Sequence, residues 1–406
     1  MSSPRSAAAR LLIVLLVTFL SSRFATAQSL SPAAQVSLLT FGPGEDLYSV
    51  FGHTAIRISD PAQGFDRVYG YGQFDFRTDN FYVKFLRGTL PYQIGVDDMY
   101  STLYAYQLDN RSIREQVLNL SAGQRQRLFD ALETNLRPEN REYRYKFYYD
   151  NCATRPRDMI VAAAGDSLRF PSKDQSTGKS YRDWMNDYLG EKPWARLGMN
   201  LAIGYPADEP TTGWTSMYLP DNVFNQVATA RIRQADGREV PLVARTQTLF
   251  TPNKPFRETP SLLALPETFF FVLLAGVLYL TYRQRKERRA GVWLDNILFG
   301  TAGFWGWFLA LLWFGTDHGV TAWNPTLLWL FPLHLPLYFW VMRPANNHWR
   351  KTYFTVTIVL IGLGLILSNA PGASPTLFAL ALVWRSVFRL QTPTNQPAQP
   401  HEATNA

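Results

Sequence analysis

The chain changes its hydrophobic rhythm near residue 260. Before that point short apolar runs alternate with polar ones; after it, long apolar runs follow one another across charged or polar connections. In the first part, residues 36–41, 54–59 and 67–74 read as strands. The second and third are spaced to form a hairpin turning near residues 62–64. Ser121, followed by apolar residues at helical spacing, predicts a helix through Glu133. A second helix is predicted across 157–164, ended by Gly165. Residues 181–221 are rich in Trp, Pro and Gly and read as irregular. A strand pair is expected around 229–233 and 239–244, and no internal repeat is found. The pattern is that of a mixed α+β domain.

Both flanks of this domain carry export signals. Arg5 and Arg10 precede an apolar run from Leu11 to Leu20, and Ala25-Thr26-Ala27 supplies a small-residue cleavage site. This is the plan of a secretory signal over residues 1–27, with an apolar run too short for an ordinary anchor. Beyond residue 260, five apolar stretches fall at about 262–282, 296–314, 324–342, 352–369 and 374–390. The fifth is short and interrupted by Arg385, so four spans compete with five. The first connection holds Arg283, Arg285, Lys286, Arg288 and Arg289, and the third holds Arg343, Arg350 and Lys351. Arg385 and Arg389 begin the tail, whereas the second and fourth connections contain neither Lys nor Arg. That alternation puts the basic loops in the cytoplasm and the α+β domain outside, the orientation a signal peptide also requires. The expected plan is a periplasmic domain over 28–259, a transmembrane helical domain over 260–392 and a disordered cytoplasmic tail over 393–406. The site of action is then a bacterial inner membrane.

The net charge of +8 is largely accounted for by those loops, which removes the reason to propose nucleic acid as a partner. Aromatic residues make up 15% of the chain, which suits a membrane–water boundary. The chain has one cysteine, Cys152, which excludes a thiolate zinc cluster. Neither metal nor cofactor is called for. A lone cysteine in an exported domain is either a small buried residue or a reactive thiol. The same domain has one histidine, His53; His318, His334, His348 and His401 all follow the start of the membrane region. A thiol nucleophile needs a base, and imidazole is the usual one near neutral pH.

His53 follows Gly52 at the mouth of a predicted strand, and Cys152 stands where an aromatic-rich loop meets a helix start. Helix N-terminal amides there are expected to lower the thiol pKa and to stabilise an oxyanion. If Asn151 caps that helix, Pro156 falls where an N–H is wanted; the alternative is a regular helix from about Thr154. Strand alternation puts Tyr69, Tyr71, Gln73 and Asp75 on one face. Tyr71 and Gln73 are candidates to orient the imidazole, with packing as the other role for each.

The stretch Phe51-Gly52-His53-Thr54-Ala55-Ile56 and the pair Asn151-Cys152 resemble the circularly permuted branch of NlpC-type papain-like enzymes. That branch includes the lecithin:retinol acyltransferases, in which a histidine strand precedes an Asn-Cys helix start. A second histidine commonly lies across the hairpin there; Tyr69-Gly70-Tyr71 occupies that neighbourhood here. Longer blocks resemble the Lnb-type periplasmic domain of Bacteroidota, which is also followed by several transmembrane helices. They are Ser37-Leu38-Leu39-Thr40, Tyr69-Gly70-Tyr71-Gly72-Gln73-Phe74-Asp75-Phe76, Asn80-Phe81-Tyr82-Val83-Lys84-Phe85, Glu115-Gln116-Val117-Leu118-Asn119-Leu120 and Asp150-Asn151-Cys152-Ala153-Thr154-Arg155.

The resemblance implies a permuted papain-like domain and a bundle of about five helices. It also implies lipoprotein N-acylation, with a membrane phospholipid as acyl donor and diacylglyceryl-cysteine lipoproteins as acceptor. Cys152 would then carry the acyl group as a thioester, with His53 as base. Asn151, Arg155 and Arg157, beside the thiol, are candidate substrate contacts, and both arginines serve equally well in structural ion pairs. Asp317 and His318, in the outer loop 316–324, are candidates for a headgroup, with a plain solvated loop as the other reading. Trp184, Trp194 and Trp214 suit either lipid contact or buried packing. Two other functions use the same features: a Cys–His cell-wall endopeptidase and a non-enzymatic envelope scaffold.

Overall fold

A computed structural model describes residues 28–253, 260–288, 291–368 and 372–392. The expected signal segment 1–27 and tail 393–406 lie outside the described residues.

The first half is built on one antiparallel sheet. Its strands are Gln35–Phe41 (β1), His53–Asp60 (β2), Phe65–Gln73 (β3), Pro91–Asp98 (β4), Ile113–Leu118 (β5), Glu142–Arg144 (β6) and Val243–Phe250 (β7). They lie in the order β7-β5-β1-β2-β3-β4-β6. The predicted hairpin is β2–β3, with Ala55 paired to Gly70 and Asp60 to Phe65. The sequence alternation sends side chains to two cores. Val36, Leu38, Ile56, Ile58, Tyr69 and Tyr71 meet helices Ala122–Leu136 and Thr154–Ala164 on one face. Leu39, Phe41, Ala55, Val68 and Ile113 meet helix Met99–Leu108 on the other. Central strands are therefore buried on both faces at nearly every position, as β1 is from Val36 to Phe41.

In chain order the helices of this half are Phe81–Leu86 (α1), Met99–Leu108 (α2), Ala122–Leu136 (α3), Thr154–Ala164 (α4), Tyr181–Tyr188 (α5), Pro193–Ala202 (α6) and Pro220–Thr229 (α7). Helix α3 begins with a full capping box: the Ser121 side chain accepts from the Gln124 N–H while Gln124 reaches back. The reading of 181–221 as irregular is corrected. Three helices start in it: Ser180 and Asp183 form a second capping box at α5, and Pro193 and Pro220 open α6 and α7. Proline tolerates the first helical turn because its absent N–H would have no partner there. The expected pair near 229–244 resolves into a small sheet of Arg231–Arg233 with Glu239–Pro241 and Leu168–Arg169, followed by β7.

The second half contains Pro266–Lys286 (α8), Trp293–Phe314 (α9), Thr326–Trp329 (α10), His334–Val341 (α11), Arg350–Leu367 (α12) and Ala373–Gln391 (α13). Five apolar stretches thus give five helical units, the third broken around Pro332. On α9, a Cβ at Gly303 would come within 2.3 Å of the Leu335 backbone, and one at Gly306 within 2.1 Å of the Leu330 carbonyl. Small residues let the broken helix lie directly on α9. Arg385, which interrupts the last apolar stretch, is buried between helices. Its guanidinium forks onto Asp295 at 2.5 and 2.9 Å, and it also reaches Thr281 at 2.9 Å and Gln284 at 3.0 Å. Arg389 joins the same carboxylate at 2.6 Å. An apolar helix carries these arginines because Asp295 receives them away from the outer surface.

The two halves touch through the outer loop. The Asp317 N–H donates to the Arg87 carbonyl at 2.7 Å, and the Gly204 N–H donates to the Val320 carbonyl at 2.8 Å. Asn324 donates to the Leu201 carbonyl at 2.7 Å, and the Trp194 indole to the Ala264 carbonyl at 2.8 Å.

Candidate active site

Strand β3 reads Tyr69-Gly70-Tyr71-Gly72, so one face carries tyrosines and the other carries nothing. The tyrosines are tied down on α3: the Tyr69 hydroxyl donates to Glu133 at 2.6 Å, and Tyr71 accepts from Asn135 at 2.7 Å. The glycines leave room for the two residues of interest. A Cβ on Gly70 would lie 3.2 Å from His53 Nε2, and one on Gly72 would lie 3.3 Å from the Cys152 Cβ. Gly72 has φ +92°, a conformation that side chains disfavour. His53 is the first residue of β2 and Cys152 immediately precedes α4, two positions distant in sequence that β3 brings together.

Cys152 is positioned by Asn151. The Asn151 Oδ1 accepts from the N–H groups of Ala153 at 2.8 Å and Thr154 at 3.0 Å, and its Nδ2 donates to the Phe147 and Tyr218 carbonyls at 2.6 and 2.9 Å. All of its bonds are internal and it is 2% exposed, so it holds the turn that carries Cys152 and has no polar atom free for a substrate. The regular helix begins at Thr154, which puts Pro156 in its first turn and removes the conflict over the missing N–H.

Three polar groups lie beside the Cys152 sulfur: the Tyr145 hydroxyl, the Thr54 backbone N–H and its own N–H. They favour the thiolate, and the Arg111 charge adds to them. Burial outweighs all four and pushes the thiol up to about 11. The expected lowering at a helix start is therefore corrected. His53 is shifted the other way, down to about 4, first by burial and then by Arg111. The resting pair is a thiol and a neutral imidazole, both half-buried and reachable from outside.

Arg111 escapes sequence reading. It is 7% exposed, donates to the Gly42 carbonyl at 2.9 Å and lies 4.6 Å over the Tyr106 ring, which stacks on Phe41 beside His53. Tyr143 and Tyr145 were also unsuspected, and no local motif announces them. The Tyr143 hydroxyl is buried without a partner among the described residues, 3.9 Å from where a Gly72 Cβ would stand.

Several expected contacts fall elsewhere. Tyr71 points into the core with Asn135, on the opposite face of β3 from Gly70, so it does not orient His53. Gln73 lies over Gly95 of β4, on the far side of β3 from β2. Among the described residues no hydrogen bond to the imidazole is found; Phe41, with ring centres 5.8 Å apart, is its aromatic neighbour. Arg155 forks onto Asp150 at 2.6 and 2.8 Å and stacks 3.6 Å over the Tyr143 ring. Arg157 is 7% exposed, paired to Asp158 at 2.8 Å and stacked 4.0 Å over Trp214, which closes it to a lipid phosphate. Asp317 pairs with Arg144 at 2.8 Å and Lys146 at 3.3 Å, and His318 meets the Leu86 carbonyl at 2.9 Å. Both loop residues join the two halves of the chain instead of standing free for a headgroup. Among the described residues no group of three or more His, Cys, Asp or Glu is arranged to hold a metal ion.

A family model described as the Lnb N-terminal periplasmic domain matches residues 21–185, and one described as the Lnb transmembrane domain matches residues 258–396. The chain is an Lnb-type protein. The two matches together take in well over half of it, and the first contains both His53 and Cys152. No curated protein and no solved structure matches it. As an Lnb-type chain it is an inner-membrane protein with a periplasmic N-terminal domain. The outer loop of the Lnb-type transmembrane domain therefore meets the periplasmic domain beside the strand that leads to Tyr143 and Tyr145.

Proposed function

We propose that this chain is a membrane-bound thiol acyltransferase acting in lipoprotein biogenesis. It takes a fatty acyl chain from a phospholipid, holds it as a thioester on Cys152 and passes it to the α-amine of diacylglyceryl-cysteine lipoproteins. The observation that carries this reading is that the chain's one thiol and the one histidine of its periplasmic domain both pack against one strand, each over a glycine two residues from the other. Family membership supplies the lipoprotein substrate class, and the adjoining membrane domain fits two lipid-anchored substrates.

In the first half-reaction the Cys152 sulfur attacks an ester carbonyl of the phospholipid while neutral His53 accepts the thiol proton. Proton removal accompanies attack because the resting thiol sits far above neutral pH. The Tyr145 hydroxyl and the amides of Thr54 and Cys152 surround the sulfur, where the tetrahedral oxyanion forms. Collapse breaks the C–O bond, and His53 returns the proton to the lysophospholipid alcohol. In the second half-reaction the lipoprotein amine attacks the thioester and His53 takes the amine proton; the C–S bond then breaks, and His53 gives that proton to the leaving sulfur, which restores the thiol. Transfer wins over hydrolysis only if the amine is held in place and water is kept away. Five spans with a cytoplasmic C-terminus complete the proposal.

The test is a reconstitution of full-length protein with phospholipid alone, followed by intact-mass analysis. The reading expects a mass gain of one acyl chain on Cys152, discharged when a diacylglyceryl lipopeptide with a free amine is added. Release of peptide fragments from cell-wall material with no acylated Cys152 would replace it with the peptidase reading.

A further inference from the structure

Helix α1 reads Phe-Tyr-Val-Lys-Phe-Leu, and most of its apolar side chains face outward. Tyr82 is 81% exposed, Val83 57% and Phe85 53%, with Phe76 beside them at 67%. A cluster of this kind marks a surface that something apolar covers. Its position says what. The Leu86 carbonyl is 2.9 Å from His318, and the Arg87 carbonyl accepts from the Asp317 N–H at 2.7 Å. Both partners follow closely on Phe314, the last residue of α9, a helix long and apolar enough to cross a membrane. The end of α1 thus lies at the level where α9 leaves the bilayer. The single charge on α1, Lys84, suits an interface carrying phosphate.

From this helix a row of rings leads inward. Phe81 lies 5.9 Å from Phe74, Phe74 lies 5.4 Å from Tyr92, and Tyr92 lies 4.6 Å from Tyr145. Tyr145 and Cys152 share the space over Gly72, where a Cβ would lie 3.5 Å from the Tyr145 ring and 3.3 Å from the Cys152 Cβ. We propose that α1 and Phe76 embed in the periplasmic leaflet of the membrane, and that this aromatic row guides a phospholipid acyl chain from there to Cys152. The second clause rests on the acyl-transfer reading; the first does not.

Two measurements on the full-length protein in phospholipid nanodiscs separate them. Tyr82→Cys in a Cys152→Ala background, labelled with an environment-sensitive dye, is quenched by nitroxides on lipid acyl chains and protected from a water-soluble nitroxide. The reverse order of quenching overturns the embedding. For the path, Cys152 acylation is timed from bilayer phospholipid and from a monomeric short-chain phospholipid, comparing wild type with Val83→Asp/Phe85→Asp. The bilayer-to-monomer rate ratio falls about tenfold in the variant. An unchanged ratio overturns the path. Wild type that acylates with neither donor overturns the acyl-transfer reading and the path with it, while quenching at position 82 still decides the embedding.

Discussion

Cys152 and His53 could be singled out from the sequence because the periplasmic half offers one residue of each kind. Their protonation states could not, because burial decides them. With the thiol pushed up to about 11 and the imidazole down to about 4, His53 is a competent base above about pH 4, and the sulfur stays protonated until well above neutrality. Alkylation of Cys152 by iodoacetamide is therefore expected to keep accelerating from pH 7 to about 10; a plateau already reached at pH 6 would reveal a preformed thiolate–imidazolium pair. The residues that attend the sulfur were invisible to sequence reading because they arrive from separate segments: Arg111 from before β5, and Tyr143 and Tyr145 from β6 and its exit. Replacing Tyr145 by Phe removes one donor and is expected to slow Cys152 acylation by about 10- to 100-fold, as single-turnover kinetics would measure, with little change in melting temperature. Gly70→Ala places a methyl against His53 Nε2 and is expected to slow the same step while the domain stays folded.

At the scale of elements, the strongest signals were local ones. The hairpin β2–β3, the capping of α3 at Ser121 and the stop of α4 at Gly165 were all legible, since each depends on a few neighbouring residues. Helices α5 to α7 were not, because Trp, Pro and Gly dominate the composition there. Two of the prolines that give the stretch its irregular look, Pro193 and Pro220, are helix starters. Tyr71 and Gln73 are expected on one face by strand alternation, but a register shift at Gly72 separates them: Tyr71 enters the core under α3, whereas Gln73 lies over Gly95, the cross-strand partner of Gly70. Strand alternation tells which residues go together only while the ladder is unbroken, and packing tells which side receives the site. Asn151 is the residue whose loss should be felt most in this region. Asn151→Ala removes two cap bonds and two bonds to carbonyls, and is expected to cost about 2–4 kcal/mol in thermal unfolding. Asn151→Asp, which keeps the cap acceptor, recovers part of that loss.

At the scale of the whole molecule, the division into a periplasmic half and a membrane half was written in the change of apolar pattern near residue 260. The contacts that join the halves were not. Asp317 and His318 are far in sequence from Arg144, Lys146 and Leu86, and only the folded chain brings the outer loop against the approach to Tyr145. The Asp317 carboxyl is held below the usual range by Lys146 first and Arg144 second. That contact is complete above the ordinary carboxylate pKa and is lost as pH falls through the lowered one. Within the bundle, Asp295 receives both Arg385 and Arg389 at a site shut off from the surface. Asp295→Asn strands two buried guanidinium groups and is expected to cost about 3–5 kcal/mol in detergent-solubilised protein. Arg385→Met leaves Asp295 paired with Arg389 and should cost less; the opposite ranking would contradict the pairing.

The central claim is that Cys152 carries acyl groups to lipoproteins. Its most direct test is mass spectrometry of lipoprotein N-termini from cells lacking this protein, complemented with wild type or with Cys152→Ala. The account predicts N-acylated lipoproteins with the wild type and free α-amines with the variant at equal expression. N-acylation that persists without the protein, or that Cys152→Ala restores, would contradict it.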